Sequence, residues 1–138
     1  MRKLRVLIAD DHPGIRSAIV RVLSNDFKIV GLAGDGEQLV DSAISLSPDV
    51  IVSDIYMPHL SGPGALKELS ARGYDFPCVL VSVDPFGADE FVRQGASAFV
   101  EKCDILHELA PAVHSAALGH AYVRELHAAK RAKSVRGR

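Results

Sequence analysis

The feature of the sequence that most constrains the fold is a short run of β-branched residues, Val50 to Val52, that leads to Asp54 and stops at Pro58. A run of this kind, bounded by Pro48 before it, is typical of a central strand buried on both faces. Asp54 would then lie at the carboxyl end of that strand, where open parallel α/β sheets bind their ligands. The carboxylate is therefore a candidate site residue, with a turn or helix cap as its alternative role.

Other apolar runs of strand length alternate with segments in which apolar residues recur at helical spacing. We predict further strands over residues 4–9, 27–33, 78–83 and 96–101, and helices over about 13–23, 37–47, 65–71, 85–94 and from 105 onward. Five strands alternating with five helices predict an α/β fold: a doubly wound five-stranded parallel sheet with helices on both faces and right-handed crossovers.

Prolines lie near the starts of the last two predicted helices and affect where these helices can begin. Asp84 and Pro85 predict an N-cap and a first-turn proline for a fourth helix that ends at Gln94. Pro111 either falls in the first turn of a late-starting fifth helix or kinks one that begins near Asp104. The apolar residues assigned to these helices are Phe86, Phe91, Val92, Leu106, Leu109, Val113, Ala116 and Ala117.

The composition favours one globular domain. Its charge balance gives no overall positive electrostatic field that would attract nucleic acid. The chain has 138 residues, 48% hydrophobic content, a formal net charge of -1 and a pI near 6.6. Two cysteines without CxxC spacing favour a reducing compartment. The N-terminus leads into a strand without a signal-peptide core, so we expect a cytoplasmic protein that does not contact the membrane.

Polar residues follow the predicted strands at the edge where ligands bind. Asp10 and Asp11 follow the first strand, Asp54 ends the third, Ser82 lies in the fourth and Lys102 follows the fifth. Three neighbouring carboxylates repel one another unless a cation lies between them, and a set of oxygen ligands suits Mg²⁺. The alternatives are that the acidic pair caps the first helix, that Ser82 is a buried, satisfied hydroxyl and that Lys102 is a surface lysine.

Together, these groups are of the kinds that phosphoryl transfer requires. Asp54 would be the nucleophile, Mg²⁺ and Lys102 would neutralise the transferred oxygens, and Ser82 would donate a hydrogen bond.

The sequence resembles the receiver domain of bacterial two-component response regulators from Leu4 to Leu118. Residues 6–12 (VLIADDH) are similar to the acidic segment of the family, and residues 48–58 (PDVIVSDIYMP) to its phosphoacceptor segment. Residues 81–82 and 95–102 match the segments that carry the hydroxyl and the lysine. His12 is typical of the branch that carries a helix-turn-helix output domain.

The resemblance implies a flavodoxin-like sheet of strand order 2-1-3-4-5 and transfer of a phosphoryl group to Asp54 from a histidine kinase or phosphotransfer protein. It implies that Asp11 and Asp54 bind Mg²⁺ directly, that Asp10 acts through water, and that the backbone carbonyl of Tyr56 is a further ligand. On this reading the protein is a switch and not an enzyme.

The resemblance also implies a switch in which Ser82 moves toward the phosphate and Phe99 rotates inward. These movements would alter the surface formed by the fourth helix, the fifth strand and the fifth helix. The sequence departs from the family pattern at two places that bear on the structure. The span from Ser82 to Lys102 is about two residues shorter than is usual in the family. Ser61–Gly64 is richer in helix-breaking residues than the usual loop, which suggests a delayed or shortened third helix. Phe99 also lacks a hydroxyl.

We divide the chain into a receiver domain, residues 1–118, and a helical extension with a basic tail, residues 119–138. Five of the nine residues from Lys130 to Arg138 are basic. We expect no output domain in so short a segment, which could be an interdomain linker, a dimerisation helix that forms a homodimer, or a solvated tail. DNA binding is not expected without an added output domain, and the sequence does not identify the downstream effector.

Two other functions use the same features. A phosphatase with an aspartyl nucleophile on the same fold typically needs a second acid two residues after the nucleophile, where this chain has Tyr56. A DNA-binding regulator could act through the basic tail. A flavin or dinucleotide site is disfavoured because Asp10, Asp11 and His12 follow the first strand in place of a glycine-rich loop.

Overall fold

Five parallel strands form one sheet in the order β2-β1-β3-β4-β5 in the computed structural model, which describes residues 2–84, 86–93 and 95–119. The strands are β1 (Arg5–Ala9), β2 (Lys28–Ala33), β3 (Val50–Asp54), β4 (Cys78–Ser82) and β5 (Ala98–Glu101). The flavodoxin-like fold class and strand order predicted from the sequence are confirmed.

The helices are α1 (Pro13–Leu23), α2 (Gly36–Leu46), α3 (Gly62–Ala71), α4 (Ala88–Arg93) and α5 (residues 110–119). A 3-10 turn, Lys102–Asp104, and a π turn, Ile105–Leu109, lie between β5 and α5. Within the described residues, no helix is both long enough and apolar enough to span a bilayer.

Successive residues of the central strands point to opposite faces of the sheet and enter two separate cores. Val50 and Val52 pack on the face covered by α1 and α5, whereas Ile51 packs on the face covered by α2 and α3. Because both faces are covered, β3 and β4 are buried along their whole length. The polar residues at the carboxyl ends of β3 and β4 therefore extend from fully packed strands.

The third helix is not delayed, and that expectation from the sequence was wrong. α3 begins at Gly62 and has 10 residues, with Pro63 in its first turn. Ser61 is its N-cap, because the Ser61 Oγ accepts a hydrogen bond of 3.0 Å from the Gly64 N–H. Glycine and proline are tolerated in a first turn since its N–H groups have no partner within the helix.

The fourth helix begins later than the sequence predicts, at Ala88, and its described part is Ala88–Arg93. Its predicted end at Gln94 lies outside the described residues. Asp84 does not cap it, because the Asp84 Oδ1 accepts from the N–H of Phe86 at 2.9 Å and forms a turn. Gly87 follows with a φ of +84°, a left-handed conformation that separates this turn from the helix. Phe86 therefore lies outside the helix and is 86% exposed, contrary to its assignment to an apolar helix face.

Pro111 falls in the first turn of α5, as one of the two sequence alternatives predicted. Since proline has no N–H, the α-helical hydrogen bond to the His107 carbonyl cannot form, and the preceding turn is a π turn. Leu109, Val113 and Ala116 are buried, but Leu106 is exposed. The assignment of Leu106 to the apolar face was wrong because the π turn changes the helical register.

The prediction of a helical extension over residues 119–138 lies almost entirely outside the described residues. Gly119 is helical, and the remainder falls outside the described ranges. The division of the chain at residue 118 stays a prediction.

The glycine at the start of α3 generates a prediction about stability. A side chain at Gly62 would collide with the Asp54 carbonyl and the Ser53 Oγ, while the Gly62 N–H already donates to the Ile55 carbonyl at 2.8 Å. We expect Gly62→Ala to lower the free energy of unfolding, measured by urea denaturation, by about 2–3 kcal/mol, as overpacking typically does.

Gly14→Ala is the matched control, because a Cβ at Gly14 in α1 would meet no atom within 4 Å. We expect this variant to keep its stability or to gain up to about 1 kcal/mol from the higher helix propensity of alanine. Equal effects of the two substitutions would contradict the close packing at Gly62.

Candidate functional site

Four ionisable side chains that the sequence analysis singled out lie together at the carboxyl edge of the sheet. Asp10 and Asp11 follow β1, Asp54 ends β3 and Lys102 follows β5. β1 and β3 are neighbours in the sheet, with Ala9 paired to Ser53, so their carboxyl ends are adjacent. The turn after β5 brings the lysine to the same place.

Lys102 lies between two carboxylates. Its Nζ is 3.4 Å from the Asp54 Oδ2 and 3.5 Å from the Asp10 Oδ2. The second oxygen of each carboxylate is bound by the backbone: the Ile55 N–H donates to the Asp54 Oδ1 at 2.8 Å, and the His12 N–H donates to the Asp10 Oδ1 at 2.9 Å. Both carboxylates are thus held with one oxygen facing the ammonium group.

The ligand atoms of the acidic cluster lie close enough together that they could hold one metal ion. Single ligand atoms of Asp10, Asp11, His12 and Asp54 all lie within 4.8 Å of one another. The Asp10 Oδ2 and the Asp11 Oδ1 are buried and accept no hydrogen bond from the described residues. Buried carboxylate oxygens without a donor and an oxygen-rich ligand set fit a hard cation such as Mg²⁺.

Burial raises the pKa of Asp54 above its ordinary value, and this effect exceeds the lowering by the nearby Lys102. The charge of Asp10 raises the pKa further, whereas the hydrogen bond from the Ile55 N–H lowers it. The ionised form of Asp54 is therefore destabilised in the metal-free protein.

The other three predicted site residues lie at or near the same edge, and their roles stay predictions. Ser82 is buried at the end of β4, where it pairs with Glu101 of β5. The preceding residue, Val81, pairs with Asp54 of β3. Tyr56 is 71% exposed. Phe99 is half-buried in β5 and packs against the core under α2 and α3.

Two residues near the site were not predicted from the sequence. The His12 Nδ1 lies 3.1 Å from the Asp11 Oδ1. Arg16, on α1, donates from Nη1 to the backbone carbonyl of Asp10 at 3.0 Å. The contact of His12 could have been expected from the sequence, because His12 directly follows the acidic pair. The contact of Arg16 could not, because no sequence pattern predicts a hydrogen bond between an arginine of a helix and the carbonyl at the end of a strand.

A doubly wound sheet with an acidic cluster and a lysine at its carboxyl edge defines a class of phosphoacceptor domains. The family model of the response regulator receiver domain matches residues 6–114, and the chain belongs to this family. The resemblance inferred from the sequence is thereby confirmed.

Individual relatives agree with this assignment. The chain is 34% identical to the transcriptional regulatory protein YxjL of Bacillus subtilis over 93% of its own length, and 33% identical to the response regulator GacA of Pseudomonas viridiflava over 87%. It covers 61% and 58% of these relatives. The signal receiver domain of NarL from Mycobacterium tuberculosis superposes with a TM-score of 0.80 at 30% identity, covering 86% of this chain and 99% of that domain.

The environment of Asp54 predicts how stability depends on pH. A carboxyl group whose pKa is raised by folding binds its proton more tightly in the folded chain, so the free energy of unfolding falls as pH rises from the ordinary pKa through the raised one. We expect Asp54→Asn, which removes the charge, to be more stable than the wild type near pH 7 without divalent cations. The difference should shrink toward pH 4.

Urea denaturation in chelating buffer at several pH values measures this difference. Asp26→Asn, at an exposed position after α1, is the control for loss of one charge. If the free energies of unfolding of Asp54→Asn and the wild type differ by the same amount from pH 4 to 7, the raised pKa of Asp54 is contradicted.

Proposed function

We propose that this chain is a phosphorylation-dependent signalling switch that accepts a phosphoryl group on Asp54 from the phosphohistidine of a histidine kinase or phosphotransfer protein. The observation that carries the proposal is the contact of one lysine with two carboxylates, Lys102 with Asp54 and Asp10, beside the buried Asp11 Oδ1, which accepts no hydrogen bond from the described residues. Membership in the receiver family supports it.

In the proposed reaction an oxygen of the Asp54 carboxylate attacks the phosphorus atom. A P–O bond forms, the P–N bond breaks, and the imidazole leaves with the bonding electron pair. The Lys102 Nζ, 3.4 Å from the Asp54 Oδ2, is placed to neutralise the transferred oxygens. The Ser82 hydroxyl would donate a hydrogen bond to one of them.

Asp11 and Asp54 would hold Mg²⁺ directly, Asp10 through water, and the backbone carbonyl of Tyr56 would be a further ligand. The bound ion would supply charge neutralisation for the phosphoryl oxygens. It would also favour the ionised form of Asp54 and so offset the effect of burial on the pKa.

The proposed switch couples the phosphate to the surface formed by α4, β5 and α5. Ser82 would move toward the phosphate and Phe99 would rotate inward from its half-buried position. α4 suits such a change, because its described part has six residues and it lies between Gly87 at φ +84° and Gly95 at φ +118°.

The receiver domain over residues 1–118 would act in the cytoplasm. The chain spans about three fifths of the length of its curated relatives. The exposed Tyr56 two residues after Asp54 provides no second carboxylic acid, which disfavours a phosphatase that turns over phosphoesters.

Asp54→Asn tests the proposed phosphoacceptor. Treatment of the wild type with acetyl phosphate and Mg²⁺ should give one phosphorylated species by intact-mass spectrometry, and Asp54→Asn should give none, because the amide is not a nucleophile. Asp26→Asn, which lies away from the site, should be phosphorylated like the wild type. Failure of the wild type to gain phosphate or to bind beryllofluoride would refute the proposal.

Asp11→Asn tests the proposed metal site. Loss of one negative ligand should raise the Kd for Mg²⁺, measured by isothermal titration calorimetry, by about tenfold or more. Asp41→Asn, an exposed residue of α2, should leave the Kd unchanged. Chelation of Mg²⁺ should also abolish phosphorylation of the wild type. An unchanged Kd in Asp11→Asn would remove Asp11 from the ligand set.

A further inference from the structure

Arg16 links α1 to the acidic site. It follows Pro13 in the first turn of α1, and helical side chains point back toward the N-terminus of their helix. The guanidinium therefore reaches the end of β1, where Nη1 donates to the Asp10 carbonyl at 3.0 Å in a half-buried contact.

This contact completes the hydrogen bonding around Asp10 except at one atom. The Asp10 N–H donates to the Ala33 carbonyl at 3.0 Å, its Oδ1 accepts from the His12 N–H, and its carbonyl accepts from Arg16. The Asp10 Oδ2, which faces Lys102, is the buried oxygen that lacks a hydrogen bond from the described residues. The orientation of Asp10 is thus determined by three hydrogen bonds.

The same contact constrains Asp11. The carbonyl of Asp10 and the N–H of Asp11 belong to one planar peptide unit, so a donor that holds the carbonyl also holds the plane from which the Asp11 side chain departs. Rotation of this plane would move the Asp11 carboxylate relative to that of Asp54.

The guanidinium also lies beside the turn between β2 and α2. A Cβ at Gly34 would lie 3.6 Å from the Arg16 Nη1 and 3.5 Å from the Gln38 Oε1, which accepts from the Gly34 N–H at 2.8 Å. The turn therefore confines the guanidinium from the side opposite to α1.

We propose that Arg16 is a positioning residue of the acidic site, which orients the Asp11 carboxylate for a divalent cation through the carbonyl of Asp10. The part that concerns the cation rests on the function proposed above. The part that concerns the orientation of Asp11 does not.

Calorimetric titration with Mg²⁺ alone tests the effect on the cation. We expect Arg16→Met to raise the Kd about tenfold, the lower end of what loss of a group that orients metal ligands typically causes. Arg16→Lys keeps a charge and a donor and should recover most of the affinity. Arg21→Met, at an exposed position on the same helix, should bind like the wild type. A Kd for Arg16→Met within about twofold of the wild type would overturn the effect on the cation.

Amide NMR of the metal-free protein tests the orientation independently. In Arg16→Met we expect shifted amide signals and faster hydrogen exchange at Asp11 and His12, and in Arg16→Lys smaller changes. Amide signals unchanged at both residues in Arg16→Met would overturn the inference. The measurement needs no Mg²⁺, so this outcome is decisive even if the wild type does not bind the ion. If Arg16→Met does not fold, the comparison is made with Arg16→Lys, for which amide signals unchanged at both Asp11 and His12 would overturn the inference.

Discussion

The structure depends on holding carboxylates of like charge together at the edge of a buried sheet. Asp10 and Asp54 are almost completely buried, and such charges are costly unless paired. Lys102 contacts both, so one positive charge compensates two negative ones, and Asp11 adds a third carboxylate. Burial is the main cause of the raised pKa of Asp54, and the charge of Asp10 adds to it. The Asp10 Oδ2 and the Asp11 Oδ1 are buried without a hydrogen bond from the described residues.

The surrounding packing keeps these carboxylates from moving apart. β1, β3 and β4 are covered on both faces, and the loop after β3 is held at Gly62 against the end of the strand. Gly36, at the start of α2, allows the same loop to approach closely, because a Cβ there would collide with the Leu60 carbonyl. The carboxylates thus extend from closely packed segments, an arrangement that favours preorganised charge stabilisation.

The opposite side of the site is built differently, and this contrast suits a switch. The described part of α4 is about one and a half turns long, two glycines with positive φ flank the helix, and a π turn precedes α5. Exposed apolar side chains such as Val83 and Phe86 lie in the loop before it. Under the proposed switch, a change at Ser82 would act on this side of the fold.

The sequence by itself determined the fold and the members of the acidic cluster. Buried parallel strands require continuous apolar runs, and the residue after each run must lie at the carboxyl edge, so Asp10, Asp54 and Lys102 could be placed together before any distance was known. Only the tertiary structure decided the start of α4, the outward turn of Leu106 and the contact of Arg16 with a backbone carbonyl. These features depend on glycine conformation, helical register and contacts between distant segments, which leave no periodic signal in a single sequence.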